Sequence, residues 1–152
     1  MKIVCIPAYN EEIKINDVVK KSLPYADKVI VCDDGSTDDT AALAKKAGAV
    51  VISHEKNQGY GATISTLFDY CRKNNAEIMV TLDGDGQHNP DQIPDLINVI
   101  LKHKVDVVIG SRSLRDDKNL PSYRKTGIKI ITSTINSATN LKVTDSQSGF
   151  RA

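Results

Sequence analysis

The chain has 152 residues, a length that fits one domain with a real core. Hydrophobic content of 40% and charged content of 26% are those of an ordinary globular protein, and a net charge of +1 gives no electrostatic footprint for nucleic acid. No run approaches the ~18 apolar residues of a membrane span, and Met1-Lys2 leads straight into a strand-like run rather than a signal peptide. Cys5, Cys32 and Cys71 lie far apart with no metal-ligand spacing, a sparse, odd count that fits a reducing compartment.

In chain order, short apolar runs alternate with amphipathic segments. Lys2 to Ile6 is a predicted buried strand closed by Pro7. Asn10 is the expected N-cap of a helix reaching about Leu23, with Glu11 and Glu12 in its first turn. Lys28 to Cys32 is a second strand, ending in Asp33-Asp34-Gly35. Ser36 or Thr37 is expected to cap a helix through about Ala47, stopped by Gly48. Ala49 to Ser53 is a third strand, and the polar loop 54–61 precedes a helix over about 62–74. Glu77 to Leu82 is a fourth strand, and Asn89-Pro90 opens a helix to about His103. Asp106 to Ile109 is a fifth strand, ending in Gly110-Ser111-Arg112. Tyr123 to Asn140 reads as a helix despite its β-branched content. This alternation predicts an α/β fold, a mostly parallel central sheet with helices on both faces.

Parallel sheets of this kind bind ligands at the carboxyl ends of their strands. Strand one ends in Pro7-Ala8-Tyr9-Asn10-Glu11, strand two in Asp33-Asp34, strand four in Asp83-Gly84-Asp85, strand five in Gly110-Ser111-Arg112. All four polar clusters therefore fall on one edge of the sheet. Asp83 and Asp85 repel unless a cation or hydrogen-bond donors compensate. Mg²⁺ takes oxygen ligands of this type and shares its shell with substrate phosphates. The ordinary alternative is a turn, because Asp and Gly are turn residues. Neither a G-x-G-x-x-G fingerprint nor a Walker A sequence is present, which disfavours a Rossmann oxidoreductase and removes the usual phosphate cradle. A cation at Asp85 would supply the missing positive charge for a nucleoside diphosphate.

Six stretches then carry a resemblance. They are Ile6-Pro7-Ala8-Tyr9-Asn10-Glu11, Asp33-Asp34-Gly35-Ser36-Thr37-Asp38, Asn57-Gln58-Gly59-Tyr60-Gly61, Asp83-Gly84-Asp85-Gly86-Gln87-His88, Gly110-Ser111-Arg112 and Ser148-Gly149-Phe150-Arg151. Together, in order over nearly the whole chain, they resemble the family 2 inverting glycosyltransferases of GT-A (Rossmann-like) fold. Within that family they resemble the branch of the dolichyl-phosphate mannose and glucose synthases.

The resemblance implies a metal-dependent hexosyltransferase using a GDP- or UDP-linked sugar. Pro7, Tyr9, Glu11, Cys32, Asp34, Asp83 and Gly84 would bind the nucleotide-sugar, with Asp34 on the base and Asp83 on ribose or metal. Asp83, Asp85 and Gln87 would hold Mg²⁺ or Mn²⁺. Arg112 and Arg124 would dock the phosphate of a polyprenyl (dolichyl or undecaprenyl) acceptor, guanidinium forks being suited to phosphate. Ile128 stands where relatives can carry a serine. Asp145 is the one candidate general base; positioning a metal-bound phosphate or Arg112 is its alternative role. His88 is either a donor behind the ligand-binding residues or a loop histidine, while His54 and His103 are expected at the surface. The expected location is cytoplasmic, with a peripheral place at the membrane face. The 123–140 helix is either interfacial or packed on the sheet; the sequence leaves a homo-oligomer open. Relatives continue beyond the Ser-Gly-Phe-Arg motif, so a fragment or short form of one catalytic domain over 1–152 is expected. A non-catalytic nucleotide-sugar-binding domain is the alternative function.

Overall fold

The computed structural model describes residues 1–111, 122–139 and 143–152. Four parallel strands form its sheet: β1 (Lys2–Ala8), β2 (Lys28–Asp33), β3 (Val50–Ser53) and β4 (Ile78–Thr81). Among the described residues five α-helices connect and follow them: α1 (Ile15–Ser22), α2 (Thr40–Ala47), α3 (Tyr60–Lys73), α4 (Ile93–His103) and α5 (Ser122–Thr139). The strand order is β3-β2-β1-β4, so the sheet grows to one side of β1 and then reverses to the other.

The apolar runs are strands because both faces of the sheet are covered. Alternate residues divide cleanly between two cores. Val4, Ile6, Val29, Val31, Val80 and Leu82 pack with Ile15, Val19, Ala44, Ile93 and Leu96, from α1, α2 and α4. Ile3, Cys5, Ile30 and Cys32 pack with Leu67 and Cys71 of α3. The expected α/β fold with helices on both faces is what forms, and its core is aliphatic.

Several boundaries differ from the sequence reading. Pro7 does not close β1; the strand runs through it, with Pro7 opposite Cys32 in the ladder. Asn10 does not cap α1. Its backbone takes φ +55°, and its side chain accepts the N–H of Thr37 instead, so α1 starts only at Ile15. Ser36 and Thr37 do not cap α2, which begins at Thr40 behind Asp39. Gly48 does end α2, at φ +107°. Asn89 caps a 3₁₀ turn over Pro90–Gln92 that feeds α4.

The expected fifth parallel strand is absent as a strand. Residues 108–110 instead run antiparallel to the segment 150–152, through hydrogen bonds of Val108 with Ala152 and of Gly110 N–H with the Phe150 carbonyl. Arg151 bridges antiparallel to both Ile109 and Thr81, so the Phe150–Ala152 segment lies between β4 and 108–110. A segment from the far end of the chain thus takes the position beside β4, a pairing that local periodicity does not encode.

Candidate functional site

The strand order reverses between β1 and β4, and such a switch point opens a crevice at the carboxyl ends of the strands. A cavity of about 410 Å³ lies there. Pro7, Ala8, Tyr9 and Glu11 follow from β1, Asp34 from β2, and Asp83, Gly84 and Asp85 from β4. Asn57, Gly59, Tyr60 and Thr63 close it from the start of α3. The structure therefore brings together seven residues expected from the sequence: Pro7, Tyr9, Glu11, Asp34, Asp83, Gly84 and Asp85.

The walls are laced by side chains rather than by regular structure. After β1, the N–H of Asn10 donates to Ser36 Oγ at 2.9 Å, and that of Glu11 to Thr40 Oγ1 at 2.7 Å. Glu12 N–H donates to Asp38, and Asp39 N–H donates back to Glu12. The acids read as a helix first turn are thus clasps between the β1 and β2 loops. Asp33 is buried and accepts the N–H of Ser36.

Asp34 is the most heavily engaged acid. Its Oδ1 accepts the N–H of Gln58 at 3.0 Å and lies 2.6 Å from Nδ1 of His54; its Oδ2 accepts the N–H of Gly59 at 2.8 Å. Burial pushes its carboxyl up, but the Gln58 N–H, the His54 imidazole and the Gly59 N–H outweigh it and hold the group below its ordinary value. Gly35 is obligatory beside it: at φ +71° an added Cβ would stand 2.6 Å from the Lys56 carbonyl carbon.

Across the cavity, Asp83 Oδ2 lies 3.1 Å from Nε2 of His88, whose ring stacks on Phe150 at 5.4 Å between centroids. His88 is therefore a built-in support of Asp83 and not a loose loop histidine. Gly149 presses on the same carboxylate, where a Cβ would fall 2.5 Å from Oδ2. Asp85 Oδ1 accepts the N–H of Gln87 at 2.9 Å. Desolvation first, then the neighbouring Asp85, Asp38 and Asp83 carboxylates, push Glu11 up. That convergence of negative charge is the field a divalent cation relieves. Among the described residues no three His, Cys, Asp or Glu side chains form a metal cage. The donor set fits a cation held by one or two carboxylates and completed by phosphate oxygens, the usual habit of Mg²⁺.

Other expected residues lie elsewhere. Cys32 is fully buried beneath α3 and does not line the cavity; desolvation and then Asp34 and Asp33 raise its thiol to about 11. Gln87 is exposed, and its side chain is not in the cavity wall. Asp145 is buried, accepts the N–H of Gln147, and does not line the cavity. Arg112 lies outside the described residues, as does the side chain of Arg124 on α5. His103 is exposed as expected, but His54 is not: its side chain is only 9% exposed. Ala8, Asn57, Gly59, Tyr60 and Thr63 are the cavity residues that the sequence reading did not name as site residues, although the glycines of the Asn57 to Gly61 loop marked the place. Partial desolvation and then Asp83 push the Tyr60 phenol up, which ties this wall to the β4 acids.

An acid-lined crevice at the switch point of a parallel α/β sheet defines a ligand-binding domain of the GT-A type. The chain belongs to glycosyl transferase family 2, whose sequence profile matches residues 3–152. It is 35% identical over 170 residues to the UDP-N-acetylglucosamine–dolichyl-phosphate N-acetylglucosaminyltransferase of Methanococcus voltae, covering 97% of this chain and 66% of that one. It is 30% identical to the undecaprenyl-phosphate 4-deoxy-4-formamido-L-arabinose transferase of Pseudomonas fluorescens, covering 93% of this chain and 43% of the relative. Among solved structures, glucosyl-3-phosphoglycerate synthase from Mycobacterium tuberculosis, in complex with Mn²⁺, UDP and glucosyl-3-phosphoglycerate, superposes with a TM-score of 0.70 at 25% identity. That match covers 99% of this chain and 55% of the synthase. The chain thus spans less than two thirds of the length of these relatives.

Proposed function

We propose that the chain is the donor-binding catalytic domain of an inverting glycosyltransferase that moves a sugar from a UDP- or GDP-linked donor to a polyprenyl phosphate. The observation that carries this reading is the crevice, in which the ends of β1, β2 and β4 set Asp34, Asp83 and Asp85 around one cavity. The family and the two polyprenyl-phosphate transferases among the relatives support it.

In this reading Pro7 and Tyr9 pack against the nucleoside, and Asp34 accepts an N–H from the base. Three of the roughly four acceptor positions of its carboxylate are taken by His54, Gln58 and Gly59, which leaves one for the ligand. Asp83, held by His88, takes the ribose side. Asp85 with Asp83 and Gln87 would hold Mg²⁺ or Mn²⁺, whose charge offsets that developing on the leaving diphosphate. The acceptor oxygen attacks the anomeric carbon from the opposite face and inverts it. A phosphate monoester is already anionic near neutral pH, so this acceptor needs little general-base help. That suits a buried Asp145 that is not among the cavity-lining residues and accepts the N–H of Gln147. Arg112 and Arg124 remain the proposed acceptor-phosphate contacts.

A cytoplasmic, peripheral place at the membrane face follows from the acceptor. No helix among the described residues is long and apolar enough to cross a membrane. Ile130 and Ile131 stand exposed on α5, whose described hydrogen bonds run to the 143–146 segment, and they offer an interfacial surface.

The test is calorimetry with UDP- and GDP-sugars, with and without Mn²⁺, followed by transfer of labelled sugar to dolichyl and undecaprenyl phosphate. Metal-dependent binding of one donor and transfer to a lipid phosphate are expected. Binding without turnover would mark a nucleotide-sugar-binding domain; no binding of any donor would sink both.

A further inference from the structure

His54 follows directly on β3 and continues its ladder, its N–H donating to the Asp33 carbonyl at 2.9 Å. Its imidazole stands between two elements that the chain brings together from either side. Nδ1 is 2.6 Å from Asp34 Oδ1, and Nε2 is 3.0 Å from Oγ1 of Thr66 on α3. Both acidic and basic partners are nearly closed off from solvent, with side chains 9% exposed for His54 and 5% for Asp34. A carboxylate only accepts, so Nδ1 carries a proton, while Nε2 faces the Thr66 hydroxyl and lies 3.7 Å from Cys32 Sγ.

This fixes the plane of the Asp34 carboxylate. The same carboxylate grips the N–H groups of Gln58 and Gly59, and Gly59 is the residue before α3, at φ +90°. Its neighbours Asn57, Tyr60 and Thr63 form one wall of the cavity. The order of support therefore runs from Thr66 through His54 to Asp34, and from Asp34 to the backbone of the cavity wall.

We propose that His54 is a positioning residue for donor recognition. It touches no ligand itself; it orients Asp34 so that one carboxylate both holds the 57–60 wall and keeps an acceptor position turned to the base. The proposal rests on the reading of the cavity as a nucleotide site, and its test has one arm that does not.

His54→Leu removes the donor to Asp34. His54→Asn places an amide N–H where Nδ1 stands, whereas His54→Gln carries its amide to the Thr66 side. With the donor that the wild-type protein binds, His54→Leu raises the dissociation constant about tenfold, the scale of one lost charge-assisted hydrogen bond. His54→Asn returns it to within about threefold. In the ligand-free protein, amide hydrogen exchange at Gln58 and Gly59 accelerates by about tenfold or more in His54→Leu and stays near wild type in His54→Asn. If the leucine variant fails to fold, His54→Gln takes its place, with the same expected loss. A folded His54→Leu (or His54→Gln) protein with unchanged exchange at Gln58 and Gly59 overturns the proposal. So does an asparagine variant no better than leucine. Should the wild-type protein bind no nucleotide-sugar, the donor reading fails, while the exchange arm still decides whether His54 positions the wall.

Discussion

At the scale of single residues, the two acids of the β4 turn have separate tasks. Asp83 is braced by His88 and crowded by Gly149, so it is a fixed wall group. Asp85 has one oxygen on the Gln87 N–H and, among the described residues, no brace of comparable rigidity. Asp85→Ala is therefore expected to abolish the metal dependence of donor binding while leaving the fold intact, read by calorimetry with and without Mn²⁺. Unchanged affinity in both conditions would refute that role. Gly149→Ala should act differently. Its Cβ would drive Asp83 off His88 and weaken donor binding several-fold, on the order of 1 kcal/mol, with metal dependence reduced but not abolished because Asp85 remains in place. Calorimetry on the two variants side by side separates the roles. Sequence spacing showed that two carboxylates stand together and left His88 as either a donor behind them or a loop histidine; it did not show Gly149 against Asp83, because Gly149 lies roughly sixty residues away.

At the scale of elements, the helix periods were legible and their starts were not. An Asn or Ser before an apolar-periodic segment normally reads as an N-cap. Here Asn10, Ser36 and Thr37 bond across to the neighbouring loop instead, and the helices start later. Side-chain hydrogen bonds between loops compete with capping for the same polar atoms. The C-terminal signal held, because Gly48 adopts a conformation that a Cβ resists whatever surrounds it. Gly48→Ala is expected to cost about 1–2 kcal/mol, the penalty for forcing a Cβ into the left-handed region. Urea denaturation measures it, and a midpoint equal to wild type would contradict the strain. The lost fifth strand has a similar lesson: an apolar run such as Asp106 to Ile109 pairs with whatever edge is open, and here the 150–152 segment occupies the place beside β4.

At the scale of the whole molecule, the order β3-β2-β1-β4 gathers three loops that are far apart in sequence into one acidic crevice. Its stability should register Asp34 as pH falls. The folded carboxyl sits below its ordinary value, so the native state binds this proton less readily than the unfolded chain. The contribution is fully present above the unfolded value of about 3.9 and is lost as pH drops from there through the lower folded value. Denaturant midpoints of wild type and Asp34→Asn should accordingly differ at pH 6 to 7, by an amount that shrinks at about pH 3. A difference that grows on acidification would reverse the sign and exclude this account. The Asp83–Gly84–Asp85 acids gain their meaning at this scale too, since the β1 loop faces them and their charge adds to desolvation in pushing Glu11 up.

The sequence by itself determined the class of fold, the two-sided burial of the strands, the side of the sheet that carries polar groups, and the family. The first three follow from periodicity and from residue types at strand ends, which are local properties of the chain; the family follows from the resemblance carried by six short motifs. The tertiary structure alone decided that Cys32 turns away from the cavity, that His54 is buried against Asp34, that Asp145 is buried, and that a terminal segment fills the place beside β4. Those outcomes depend on which distant segments meet, and contacts between strands and loops of large separation are chosen by packing of the complete sheet, not by any window of sequence.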